Sequence, residues 1–241
     1  MTLSQLASFV CTKMMDTESD SVAICKDFIN RRYHMIWDAA VWTESLGTVT
    51  QPVLINVADV TLSTTPSMFY YPTSSSVTGT KLDFVVAAKF VPTGEESGAE
   101  TINSDWATFF QTDPGLFENV SSRRAFPSNY VNLPKDASGY CRIKLVPATS
   151  QAGNVFALGK LKLENLGDSD SAVIRGIDNA LLAFAEGDMY ERSRQFSKSQ
   201  VKFTEAAAHV QIMKDLEKGQ QQSITRIIPQ VNDEYSVRDI Y

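Results

Sequence analysis

Apolar side chains recur at helical spacing at both ends of this chain and at strand-like spacing between them. Leu3, Leu6, Val10 and Met14 fall on one face of a short first helix. In a second helix Val22, Cys25, Ile29, Ile36 and Ala40 form the stripe, and Phe28, Met35 and Trp42 widen it. Lys26, Asp27, Arg31 and Asp38 mark its polar side. The run Asp16-Thr17-Glu18-Ser19-Asp20 supplies N-cap candidates and first-turn acids, which suit the positive end of the helix dipole. Gly47 is the expected left-handed C-cap, closing the second helix near Ser45-Leu46-Gly47.

From Thr48 to Asp168 the period shortens. Val53–Leu62, Met68–Tyr71, Leu82–Val91, Tyr140–Val146 and Val155–Leu163 are β-prone runs, separated by Ser/Thr/Gly/Pro clusters such as Pro72–Thr80 and Pro92–Ala99. Seven of the nine prolines lie between Pro66 and Pro147, and no helical pattern separates the runs, so an antiparallel sandwich is expected rather than an α/β fold. Helical spacing returns at Ser169. Asp170 or Ser171 is the candidate cap, with Ile174, Ile177, Leu181, Phe184 and Ala185 as a first stripe. Phe196, Phe203, Ala207, Val210, Met213 and Leu216 continue it after Gly187, where a bend, break or tight crossing is expected. Beyond Gly219 the period is lost, and Pro229 sits among exposed-looking apolar residues.

The predicted fold is therefore α+β. N-terminal helices (1–47) and C-terminal helices (169–222) pack as one small bundle, an antiparallel β-sandwich-like region (48–168) is inserted between them, and 223–241 form an extended arm.

Composition narrows the function. The chain has 241 residues, 43% of them hydrophobic, which suffices for a sizeable core. No apolar run is long enough to span a membrane, and Met1-Thr2-Leu3-Ser4 does not begin a secretory signal, so folding in a cytoplasm is expected. Cys11, Cys25 and Cys141 read as free thiols of a reducing compartment. The net charge of −6 is spread evenly. Residues 1–45 carry four basic and six acidic side chains, while 46–169 and 170–241 each carry nine and eleven. A protein that grips phosphates needs a concentrated basic surface, so contact with nucleic acid should be passive.

Candidate chemistry is sparse, and the expectation is a protein that is not an enzyme and holds no metal or cofactor. His34 and His209 stand in predicted helices without ligand-spaced companions, and no C-x-x-C occurs. Gly153–Leu161 approaches a phosphate-binding loop but has one residue too many between its glycines. Leu161 also stands where a hydroxyl is required. A turn glycine and a strand with Lys160 and Lys162 on its solvent face explain that segment better. The pairs Glu95-Glu96 and Asp233-Glu234 read as solvated acids. Trp106, Phe109, Phe110, Phe117 and Tyr130 could form a carbohydrate platform, although sandwich core is the stronger reading of such aromatics.

Two segments carry a resemblance. Ile177–Ala207, containing Gly187-Asp188, Glu191-Arg192, Arg194-Gln195 and Lys202-Phe203-Thr204-Glu205-Ala206, is similar to the C-terminal helices of bacteriophage head-to-tail connector proteins. Thr225-Arg226-Ile227-Ile228-Pro229 resembles the tail that follows those helices, and Asp27–Trp37, with Ile29-Asn30-Arg31-Arg32-Tyr33 and Ile36-Trp37, resembles their N-terminal helix. The resemblance implies a structural protein of the virion, made in the host cytoplasm, that forms a homo-oligomeric ring of commonly about twelve copies. It implies three partners: the portal protein above, the tail or nozzle protein below, and neighbouring copies around a channel through which DNA passes. The arm expected to meet the portal holds Ile224, Arg226, Ile227, Ile228, Pro229, Tyr235, Val237, Arg238, Ile240 and Tyr241. A tail-completion or stopper protein and a carbohydrate-binding module are the alternative readings.

Overall fold

The computed structural model describes residues 1–68, 78–94, 110–111, 127 and 129–225. In chain order these form α1 (Leu3–Lys13), α2 (Ser19–Asp38), β1 (Leu46–Val53), β2 (Asp59–Thr61), β3 (Ser67–Met68), β4 (Thr78–Pro92), β5 (Phe110–Gln111), β6 (Asn129–Leu133), β7 (Arg142–Val146), β8 (Gly153–Leu163), α3 (Asp178–Arg192) and α4 (Phe196–Thr225). The architecture is α+β, with helices at both ends and strands between.

One sheet has the order β3-β1-β8-β4 and is antiparallel throughout. The other has the order β2-β7-β6-β5, antiparallel except where β5 runs parallel to β6. The sheets share one core with the helices: Val49, Leu82, Ala88, Tyr130, Ile143, Leu145, Val155 and Leu161 are buried in it together with Leu6, Ile29, Trp37 and Leu181. Cys141 Sγ donates to Leu82 O at 3.3 Å and Tyr130 Oη to Val86 O at 3.3 Å, so β4 of one sheet is tied to the other.

The two helical ends pack as one bundle, with α3 in contact with α1, α2 and α4. Thr2 starts α1 with a capping box: its hydroxyl accepts from Gln5 N at 3.3 Å, and Gln5 Oε1 accepts from Thr2 N at 3.0 Å. The backbone of Leu3 donates to Asp170 O at 2.9 Å and that of Ser4 to Asp168 O at 3.2 Å, which joins the N-terminus to the segment leading into α3.

Several boundaries differ from expectation. The second helix ends at Asp38, not near Gly47. Its last carbonyls need no glycine cap because other donors reach them: Trp42 Nε1 donates to Ile36 O at 2.9 Å and Lys160 Nζ to Trp37 O at 2.6 Å, and the same amine holds Ala40 O just past the helix at 3.1 Å. Gly47 lies instead in β1, where a Cβ would come within 2.6 Å of Leu161, so its smallness serves close packing. Glu18 occupies the N-cap of α2 without a side-chain hydrogen bond, while Asp16 accepts from Ser21 Oγ at 2.8 Å.

The third helix starts at Asp178 rather than at Asp170 or Ser171. Asp170 Oδ2 accepts from Gly167 N at 2.8 Å, and Ile174 and Ile177 are buried in the turn before the helix. Gly187 produces no break but a tight crossing, since a Cβ there would lie 2.5 Å from the Phe203 ring of α4. The chain turns between α3 and α4, with Arg194 at φ 61°. Strands β5 and β6 lie outside the β-prone runs, and the run Val53–Leu62 divides between the end of β1 and β2.

Candidate functional site

Charged side chains converge where the four helices meet. Asp188 on α3 is buried, and Arg32 on α2 grips it with two bonds, Nε to Oδ2 at 2.8 Å and Nη2 to Oδ1 at 2.5 Å. The guanidinium lies beside two neighbouring aromatic rings, 5.0 Å from the Phe184 centroid and 4.9 Å from that of Phe203. The bond to Asp188 raises the Arg32 pKa. Two residues earlier on α3, buried Glu186 meets Lys13 of α1 at 2.5 Å and Lys202 of α4 at 3.1 Å. Alternate residues of α3 thus fasten all three of its neighbours. Gly187, between them, lets Phe203 close over Arg32.

A second group of polar contacts joins helices to strands. Lys160, expected on a solvent face, is 3% exposed. The end of α2 covers that side of β8, so three consecutive residues, Gly159 to Leu161, are buried on both faces of the sheet. Lys162 is exposed as expected. Burial lowers the Lys160 pKa, partly offset by the Asp38 carboxylate 3.8 Å away. Trp37 Nε1 donates to Leu161 O at 3.2 Å, and Val173 N donates to the buried Tyr33 hydroxyl at 2.9 Å. Asn30 holds the Leu166 backbone from both sides, accepting from its N–H at 2.8 Å and donating to its carbonyl at 3.2 Å. Far along α4, Glu217 accepts from the backbone and hydroxyl of Thr43, at the junction of bundle and sheet.

The residues singled out for chemistry are dispersed. His34 bonds Asn165 at 2.8 Å, and His209 lies half-buried on α4. Cys11, Cys25 and Cys141 are buried free thiols. Burial pushes the Cys25 thiol up to about 12 and raises Cys11 and Cys141, which opposes thiolate chemistry at all three. Among the described residues no group of three or more His, Cys, Asp and Glu is arranged to hold a metal. The segment Gly153–Leu161 lies within β8, which pairs with both β1 and β4, a setting unlike a phosphate-binding loop. Tyr130 is core rather than platform, being 2% exposed. Trp106, Phe109 and Phe117 lie outside the described residues, as do Glu95-Glu96 and Asp233-Glu234.

Of the arm, Ile224 is in the last turn of α4, which continues through Ser223 to Thr225, past the expected boundary. Arg226, Ile227, Ile228, Pro229, Tyr235, Val237, Arg238, Ile240 and Tyr241 lie outside the described residues.

The chain matches no protein-family model and no curated protein. What distinguishes the helical module is its own geometry. Residues of the two segments quoted above for their resemblance, Arg32 and Asp188, are 156 positions apart in sequence and form one buried clamp.

Proposed function

We propose that this protein is a bacteriophage head-to-tail adaptor, a non-enzymatic virion component that forms a ring beneath the portal and receives the tail. The observation that carries the proposal is the meeting of the two connector-like segments. Gly187, Asp188, Phe203 and Ala206 of one segment pack or pair where the helices cross, and Asn30, Tyr33 and Trp37 of the other tie α2 to the segments around β8, with Arg32 beside them holding Asp188. Likeness that includes positions where the helices pack supports a shared helical module.

Two further features favour this reading. The 30-residue α4 is about 45 Å long at 1.5 Å per residue and delivers the chain to the segment expected to reach the portal. The even mild acidity suits a channel wall, because like charge keeps the DNA backbone from adhering. A ring subunit uses two different faces toward its neighbours, closing by rotation. The site of action is then the portal–tail vertex, with assembly in the host cytoplasm.

Co-sedimentation with portal rings of the same virus tests the proposal. The adaptor reading expects the chain to pellet with portals. Binding to tails alone, with none to portals, would instead indicate a tail-completion protein.

A further inference from the structure

The turn between β1 and β2 presents two large aliphatic side chains to solvent. Leu54 is 72% exposed and Ile55 55%. The turn itself requires neither of them: Asn56, at φ 62°, takes the left-handed position, for which asparagine is suited. Nor is the turn loose. Thr149, fully buried, reaches it from the segment after β7 with both backbone and side chain. Asn56 N donates to Thr149 O at 2.8 Å, and Thr149 N donates to Val57 O at 3.0 Å. The Thr149 hydroxyl donates to Leu54 O at 2.7 Å and accepts from Val57 N at 3.0 Å. Leu54 and Ile55 are thus held outward on a fixed frame.

The surroundings of the tip lack charge. Val53 at the end of β1 pairs with Gly153 of β8, which pairs in turn with Pro92 of β4, and Thr93 N donates to Ala152 O at 3.0 Å. Among the described residues this end of the sandwich is built from 47–58, 90–94 and 145–159, and none of them is Asp, Glu, Lys, Arg or His. Charged residues make up 21% of the chain, so their absence from all three stretches sets this end apart. A single exposed aliphatic residue is ordinary on a protein surface. An adjacent pair fixed at a charge-free end instead matches the centre of a protein interface, where charged residues are depleted.

We propose that the Leu54–Ile55 tip is the plug of a protein–protein contact, seated in an uncharged apolar pocket of the tail protein. A lipid surface would call for Lys, Arg, Trp or Tyr around the tip, and nucleic acid for a basic surface; the described end holds none of the four. Because Thr149 fixes the turn beforehand, little order has to be imposed on binding, which favours affinity. Position selects the partner. Leu46, at the start of β1, pairs with Lys160, whose amine bonds the end of α2. Val53 lies seven residues, or ~23 Å, farther along the strand. The tip is thus at the end of the sandwich remote from the bundle, while α4 meets the sandwich at the bundle side, where Glu217 bonds Thr43. On the adaptor reading, on which this step rests, the segment after Thr225 takes the portal, so the tip takes the tail.

Tails purified from the same virus test the proposal by co-sedimentation with the full chain, free and already loaded on portals. Leu54→Ser with Ile55→Ser should weaken tail binding about tenfold or more and leave binding to portals at the wild-type level. Leu54→Asp alone, which brings a charge into an uncharged contact, should weaken tail binding as strongly. Both positions are exposed, and circular dichroism melting checks that each variant folds. Wild-type affinity for tails in both variants overturns the tip and leaves the adaptor reading standing, as does a wild-type chain that holds portals but never tails. A wild-type chain that pellets with neither overturns both. Variants that lose portals or self-association in place of tails assign the tip to the portal or to a second copy, and overturn it too.

Discussion

Asp188 and Arg32 are the pair on which the bundle turns. The carboxylate is buried and accepts two short hydrogen bonds from a guanidinium held against two aromatic rings. Removing one member leaves the other buried and uncompensated, which costs about 3–5 kcal/mol. Asp188→Ala should therefore lower the urea midpoint sharply, while Asp168→Ala, whose partner Lys26 contacts a largely exposed carboxylate, should change it little. Equal midpoints for the two variants would contradict the clamp. Lys160 gives a prediction of opposite kind. Its folded pKa lies below the ordinary 10.5, so the unfolded chain binds the proton more readily. The resulting penalty is present in full below the folded pKa and fades as pH rises toward 10.5. The neutral amine still donates to the Trp37 and Ala40 carbonyls. Wild-type stability, measured against Lys160→Met by urea unfolding, should thus improve as pH rises through that window. A pH-independent difference would contradict the burial argument.

At the scale of elements, hydrophobic spacing alone revealed most of the helices. The stripes at Leu3–Met14 and Val22–Ile36 and the crossing at Gly187 were legible because each depends on neighbours within one or two turns. The end of α2 was not legible, since a lysine over a hundred residues away satisfies its carbonyls. The same lysine was read as solvent-facing because alternation along β8 takes no account of a helix end packed on its outer side. Asn129–Leu133 alternates weakly between Pro127 and Pro134, and its pairing with β7 is a long-range fact. The residues of the clamp were visible as separate fragments, but nothing local paired Arg32 with Asp188. For α4 the account gives a direct expectation. Its last described tether to the body is Glu217 on Thr43, so a chain ending at Thr225 should keep its fold. Its melting temperature should stay within a few degrees of wild type. A large loss would mean that the segment beyond Thr225 belongs to the core.

At the scale of the whole molecule, bundle, sandwich and C-terminal segment have separable tasks in the adaptor reading. The bundle is a rigid frame and the sandwich a body inserted between its halves. On that reading the segment after Thr225 makes the contact with the portal, and the isolated chain should sediment as a monomer or a weak associate. The chain ending at Thr225 should fold yet fail to pellet with portals. The most direct measurement is negative-stain microscopy of portal rings mixed with the full chain. The account predicts an added ring of this protein coaxial with the portal on its tail-facing side. Portals that remain bare at saturating protein would contradict it.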